Sequence, residues 1–153
     1  MTYLFALLIG IVAGLRAMTA PAIVCWVAHL GWLDLSGTRL AFFGNVWARW
    51  ILTFFALGEL VTDQLPSTPS RTVPVQFGTR IVTGALSGAA IGAGRGTLIG
   101  GLVAGTVGAV IGTLGGRAFR ARLASAFGTD RPAAFIEDAL AIGGALLIGV
   151  ALR

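Results

Sequence analysis

Glu59 and Asp63 stand four residues apart in an apolar stretch, so on a helix their carboxylates share one face. Two acids at the C-terminal end of a helix repel each other and oppose its dipole. Stability alone does not favour that pattern, and a cationic partner is expected. Arg16 lies about thirteen residues into an apolar N-terminal segment. A central arginine costs roughly 2.5–3.5 kcal/mol in a bilayer, so it must snorkel, face a bundle interior, pair with an acid or contact an anionic solute. Arg80 and Arg117 fall on the same expected side of the membrane as Asp63. Glu137 and Asp138 lie one turn into the last segment, where the dipole favours them. These seven residues are expected to converge in a partly buried polar cluster. Its uses would be structural pairing, coordination of a cation or proton, or gating on a solute or ion pathway.

Between Asp63 and Gln76, Ser67, Thr68, Ser70, Arg71 and Thr72 offer hydroxyl and guanidinium donors to a phosphate or carboxylate. Contact with a lipid or prenyl-phosphate headgroup is one reading, and a solvated connector stiffened by Pro66, Pro69 and Pro74 is the other. Cys25 and His29 are each the sole residue of their type. An intrachain disulfide and a thiolate metal site are therefore excluded, and neither a metal nor a cofactor is expected. No nucleophile–base pair, histidine cluster or phosphate loop is present, so an enzyme is not expected.

The elements that must carry these groups are those of a membrane protein. The 153 residues are 56% hydrophobic and 11% charged, with a mean hydropathy of +0.89. Soluble domains carry about 25% charged residues. A water-soluble chain of this size could not hide so much apolar surface, and a lipid bilayer is the simplest solvent for it. All 11 cationic residues are arginine, scattered through apolar segments, which argues against nucleic acid despite the net charge of +5.

An all-α bundle of about five spans, four to six, follows. The segments are residues 3–33, broken near Pro21, then 40–61, 78–93, 96–116 and 133–152. Asp130 is expected to cap the last and Pro132 to sit in its first turn. A single helix over 3–33 would measure about 46 Å against a hydrocarbon layer of about 30 Å, so its second half spans, re-enters or lies at the interface. The 117–131 connection holds Arg117, Arg120, Arg122 and Arg131 and is expected to be cytoplasmic. Five spans put the N-terminus on that side too.

Small residues recur every fourth position at Gly84, Gly88, Gly92, Gly96, Gly100, Ala104, Gly108, Gly112 and Gly116. Such spacing lets helix backbones approach closely in lipid. Nine positions wind around a single helix, so two helices broken at Gly94–Gly96 are expected, each with its own seam. The seams fit packing inside one subunit, homo-oligomerisation, or a glycine-lined pore. Gly14-Leu15-Arg16-Ala17 is like Gly115-Gly116-Arg117-Ala118. If the first and fourth spans correspond, their orientations oppose, as in an inverted repeat.

Gly14-Leu15-Arg16-Ala17-Met18-Thr19-Ala20-Pro21, Gly58-Glu59-Leu60-Val61-Thr62-Asp63 with Pro66 to Thr72, Gly84 to Gly92, and Phe135-Ile136-Glu137-Asp138-Ala139 together carry a likeness. Over nearly its whole length the chain resembles the bacterial family catalogued as domain of unknown function 4126. The resemblance implies a polytopic inner-membrane protein and no activity. The expected function is an oligomeric transporter or channel for a small solute or ion. The alternative is a non-transporting factor that binds lipid or organises a partner protein.

Overall fold

The computed structural model describes residues 1–63 and 73–153. They form α1 (Thr2–Leu15), α2 (Thr19–His29), α3 (Val46–Thr62), α4 (Pro74–Ala93), α5 (Leu98–Phe127) and α6 (Asp130–Ala151), with a 3₁₀ turn at Ala41–Gly44 and no strand among the described residues. Local chemistry sets several boundaries. The Asn45 side chain accepts from the Trp47 backbone N–H at 2.8 Å and starts α3. Pro74 opens α4, where its missing N–H costs nothing. Gly128, with φ of 71°, ends α5 in the left-handed conformation that glycine adopts without penalty.

Helices α5 and α6 are long and apolar enough to cross a membrane. At 1.5 Å per residue α5 reaches about 45 Å. It extends to Phe127, well past the expected end at Gly116, because residues 117–127 contain neither glycine nor proline. The expected polar connection there is largely helix.

Glycine contacts fix the chain directions. Tyr3 lies against Gly100, Leu7 against Gly108 and Ile11 against Gly112, so α1 and α5 run parallel. Gly92 meets Thr97, Gly88 meets Gly101 and Gly84 meets Gly105, so α4 and α5 are antiparallel. Helix α2 turns back beside α1: Leu33 reaches Gly94, and Ile23 and Val27 pack on Gly149 of α6. The bundle therefore has two ends. One holds Met1, the Gly94–Gly96 turn and Arg153. The other holds the α1–α2 break, the C-terminal end of α3 and the α5–α6 junction.

Three expectations change accordingly. The break lies at Arg16–Met18, ahead of Pro21, which sits in the first turn of α2 where a proline needs no donor. That break turns residues 19–29 back through the bundle and adds a pass. Met1 and the arginines of residues 117–131 consequently lie at opposite ends, not on one side. For the same reason the two Gly-containing quartets around Arg16 and Arg117 sit on parallel helices, which removes the inverted relation between the first and fourth spans.

The packing centre is α5, held between α1 and α4. A Cβ added at Gly108 would stand 2.1 Å from the Leu7 carbonyl oxygen; at Gly105, 2.2 Å from that of Gly84; at Gly101, 2.3 Å from that of Gly88. Backbones this close leave room for hydrogen only. Helix α3 is the opposite case, with no buried residue. It docks along α2, where Trp26 packs edge-on against Trp50 and its indole N–H donates to the Thr53 hydroxyl at 3.0 Å.

Candidate functional site at the break between the first two helices

A helix end leaves backbone groups without intrahelical partners. Here two such ends, the C-terminus of α1 and the N-terminus of α2, meet inside the bundle, and charged side chains from other helices receive them. Arg80 of α4, 2% exposed, donates through Nη1 to the carbonyls of Gly14 at 2.8 Å and Leu15 at 2.6 Å. Glu59 of α3 accepts from the backbone N–H of Ala17 and of Met18, both at 2.8 Å, one on each carboxylate oxygen. The cation lies at the negative end of α1 and the anion at the positive end of α2, as the helix dipoles require. Arg80 Nη2 is 3.6 Å from Glu59 Oε1, so the two caps also pair with each other.

Arg16 itself is extended, with φ −140° and ψ 109°, and fully buried. Its Nη1 donates to Asp63 at the end of α3 and its Nη2 to Asp138 of α6. A planar guanidinium can serve two carboxylates at once; an ammonium lacks that fork. Arg16 Nε is buried without an acceptor among the described residues. The i, i+4 spacing of Glu59 and Asp63 is thus divided: one acid holds the backbone that leads into α2, the other holds Arg16.

Of the seven expected cluster residues, Arg16, Glu59, Asp63, Arg80 and Asp138 meet at the break. Glu137 is fully buried in a neighbouring group, 3.5 Å from Arg120 Nη1. Arg120 also donates from Nε to Asp130 at 2.9 Å; Asp130 is the first residue of α6, and Thr129 stands at the N-cap position expected for it. Arg117 lies on an exposed flank of α5. Sequence reading missed Arg120, because it treated 117–131 as a connection. The absence of any helix breaker before Gly128 was the available signal. The loop set Ser67, Thr68, Ser70, Arg71 and Thr72 lies outside the described residues. Gly84, Gly88, Gly92, Gly108 and Gly112 all lie at backbone contacts, whereas Gly100 lies under the Tyr3 ring. Gly10, Gly14, Gly101 and Gly105 do equal work off the every-fourth-residue series.

At the other end of the bundle a cavity of about 490 Å³ is lined by Ala28, Gly31, Leu33, Asp34, Ser36 and Gly44, among others. Asp34 accepts there from the Ser36 hydroxyl at 2.5 Å and from its N–H at 2.9 Å, which together hold the carboxyl below its ordinary range.

Glu59→Gln tests the cap. The amide keeps one acceptor oxygen for two backbone donors. One N–H loses its partner and the pairing with Arg80 is lost, so stability should fall by about 1–3 kcal/mol. Unfolding in detergent, followed by tryptophan fluorescence, reads this. An unchanged midpoint would show that the α2 N-terminus does not need the carboxylate.

A family model described as "Domain of unknown function (DUF4126)" matches residues 3–151. No curated protein and no solved structure matches the chain.

Proposed function

The chain belongs to the family described as domain of unknown function 4126, and from that membership and the geometry of the break we propose a multi-pass inner-membrane protein that passes a small solute or ion. The membrane part rests on an inverted distribution of side chains. Trp47 and Phe54 of α3 are each 74% exposed, Ile99 of α5 is 76% exposed, and Val75 and Leu147 are similarly bare. Meanwhile Arg16, Arg80 and Glu137 are buried. Water selects the reverse arrangement, whereas a bilayer favours the apolar exterior and leaves the charges to pair inside. The arginines of residues 117–131 then face the cytoplasm, with Met1 on the far side.

The observation that carries the transport reading is the helix broken inside the bundle, with its ends held by ionisable side chains. Non-helical backbone at membrane depth is tolerated where it is buried in protein or lines a cavity, and half-helix ends are how transporters hold charged solutes. Glu59 occupies the place that an anionic solute group would take on the Ala17 and Met18 N–H donors just ahead of α2. Arg16, with Nε still available, stands beside it. Helix α3 carries both Glu59 and Asp63 and buries none of its own residues. Its outward movement would withdraw two carboxylates together and open the donors to an anion. The bare apolar face of α3 also supports self-association. The reading assigns no catalytic residue.

The test is anion flux in proteoliposomes, with chloride, nitrate and acetate as probes. Wild type should conduct at least one of them. Asp63→Asn weakens the hold of α3 on Arg16 and should change the rate severalfold. Absence of flux for every probe, in folded protein, would overturn transport. A specific observation favours the other reading in that event: the lateral cavity of about 190 Å³ between α2, α3 and α6, bordered by Ile23, Trp26, Leu57, Leu60 and Leu146, is apolar and suits a lipid chain.

A further inference from the structure

A second lateral groove lies between α1, α5 and α6, on the outer side of α1 and reaching Leu15 at its C-terminal end. It has a volume of about 270 Å³ and is walled by Ile11, Leu15, Ile111, Phe119 and Leu140, with glycines of α5 as its floor. Nothing lies within 4 Å of where a Cβ on Gly115 would stand, so the groove is open at its middle. From Ile111 to Phe119 it runs eight residues, about 12 Å. Its one ionisable lining residue is Glu137, which Arg120 approaches to 3.5 Å. Arg122 stands three residues past Phe119 and seven past Gly115, on the same face of α5 and further toward its C-terminal end. It is exposed. Apolar wall, open floor and a cation beyond the rim follow one another along a single helix.

We propose that this groove holds one acyl chain of an anionic phospholipid from the arginine-rich side of the membrane, with the phosphate on Arg122. Charge complementarity selects the headgroup. Residues 117–131 carry four arginines against one acid, Asp130, which is already engaged by Arg120. The apolar wall selects a chain over a free phosphate. The inference rests on the membrane part of the proposal above and not on solute flux.

The full chain is purified in detergent, mixed with phosphatidylglycerol or phosphatidylcholine, and examined by native mass spectrometry for retained lipid. Wild type should prefer phosphatidylglycerol. Arg122→Gln should lower that preference about fivefold, the effect of one arginine at an anionic surface. Gly115→Leu fills the floor and should abolish retention of either lipid. Both positions are open, so neither variant should lower the melting midpoint. Equal retention of the two lipids by wild type, an unchanged preference in Arg122→Gln, or undiminished retention in Gly115→Leu overturns the site. So does a chain dimer occupying the groove in place of lipid. Failure of the membrane reading would look different: a stable monomer in buffer without detergent.

Discussion

Replacing Arg16 by Met should destabilise the protein by about 3–5 kcal/mol, the cost of removing one partner from a buried ionic group. The cause is what remains. Asp63 and Asp138, from two different helices, both direct their carboxylates at Arg16. Without it two neighbouring acids face each other in a medium that cannot solvate them. Arg16→Lys should recover part of the loss, since an ammonium restores the charge but not the two-way fork. The decisive variant is the triple change Arg16→Met, Asp63→Asn, Asp138→Asn. Neutralising a whole buried ion group is often near neutral in stability, so most of the loss should return. Equilibrium unfolding in mixed micelles gives all three numbers. A single Arg16→Met variant as stable as wild type would show that the acids are solvated and the cluster is not buried. The same series separates structure from transport. If Arg16 only secures the fold, the triple variant should regain flux; if it contacts an anion, stability should return and flux should not.

Much of this site is legible in the residues themselves. Glu59 and Asp63 announce a partner because their spacing and place on a helix are unfavourable alone. Arg16 announces one because an arginine inside an apolar run is costly. What one-dimensional pattern could not supply was the number of times the chain turns. The apolar run of residues 3–33 has no strong breaker at Arg16–Met18; Pro21, the visible candidate, fits a helical first turn. The break there is imposed from outside, by Arg80 taking the carbonyls at the end of α1 and Glu59 taking the Ala17 and Met18 N–H groups that lead into α2. Backbone hydrogen bonds to side chains some forty and sixty-five residues away leave no local trace. One missed turn then reversed every orientation upstream of it. The α5 terminus failed for a simpler reason. Residues 117–127 are polar enough to look like a loop, yet they contain only helix-compatible types, and the stop signal is Gly128.

The glycine pattern carried its information at lower resolution. A recurrence of four finds helices that approach closely but not which glycine meets which neighbour, because successive positions drift by about 40°. On α5, Gly101 and Gly105 meet α4, and Gly108 and Gly112 meet α1, with Gly105 also under Gly10; seven residues separate Gly101 from Gly108 and Gly105 from Gly112, so the four lie on one stripe and differ in height along the helix. Residues on the drifted series but facing a side chain, such as Gly100 under Tyr3, contribute differently from those facing a backbone.

Gly108→Val should be the most damaging single change in the packing core. The first added carbon would stand 2.1 Å from the Leu7 carbonyl oxygen, 2.9 Å from the Ile11 nitrogen and 3.0 Å from the Gly10 α-carbon. All three are backbone atoms of α1, so no rotamer change relieves the contact, and the helices must separate. Overpacking of this kind costs typically about 1–3 kcal/mol, and the β-branched side chain puts the expectation at the upper end. The consequence travels along α1. Its C-terminal carbonyls, at Gly14 and Leu15, are the ones Arg80 holds, so a displaced α1 also loosens the break. Gly115→Ala is the matched control on the same helix. Its Cβ would meet nothing within 4 Å, and alanine is the better helix former by about 1 kcal/mol, so stability should hold or rise. The comparison excludes a general effect of losing glycine from α5. Measured together by unfolding in micelles, the pair should differ by about 2–4 kcal/mol, with all of the loss at Gly108. Equal tolerance at both positions would mean that α1 and α5 are not in backbone contact, and that the ends of the broken helix are not held where Arg16, Glu59 and Arg80 can meet.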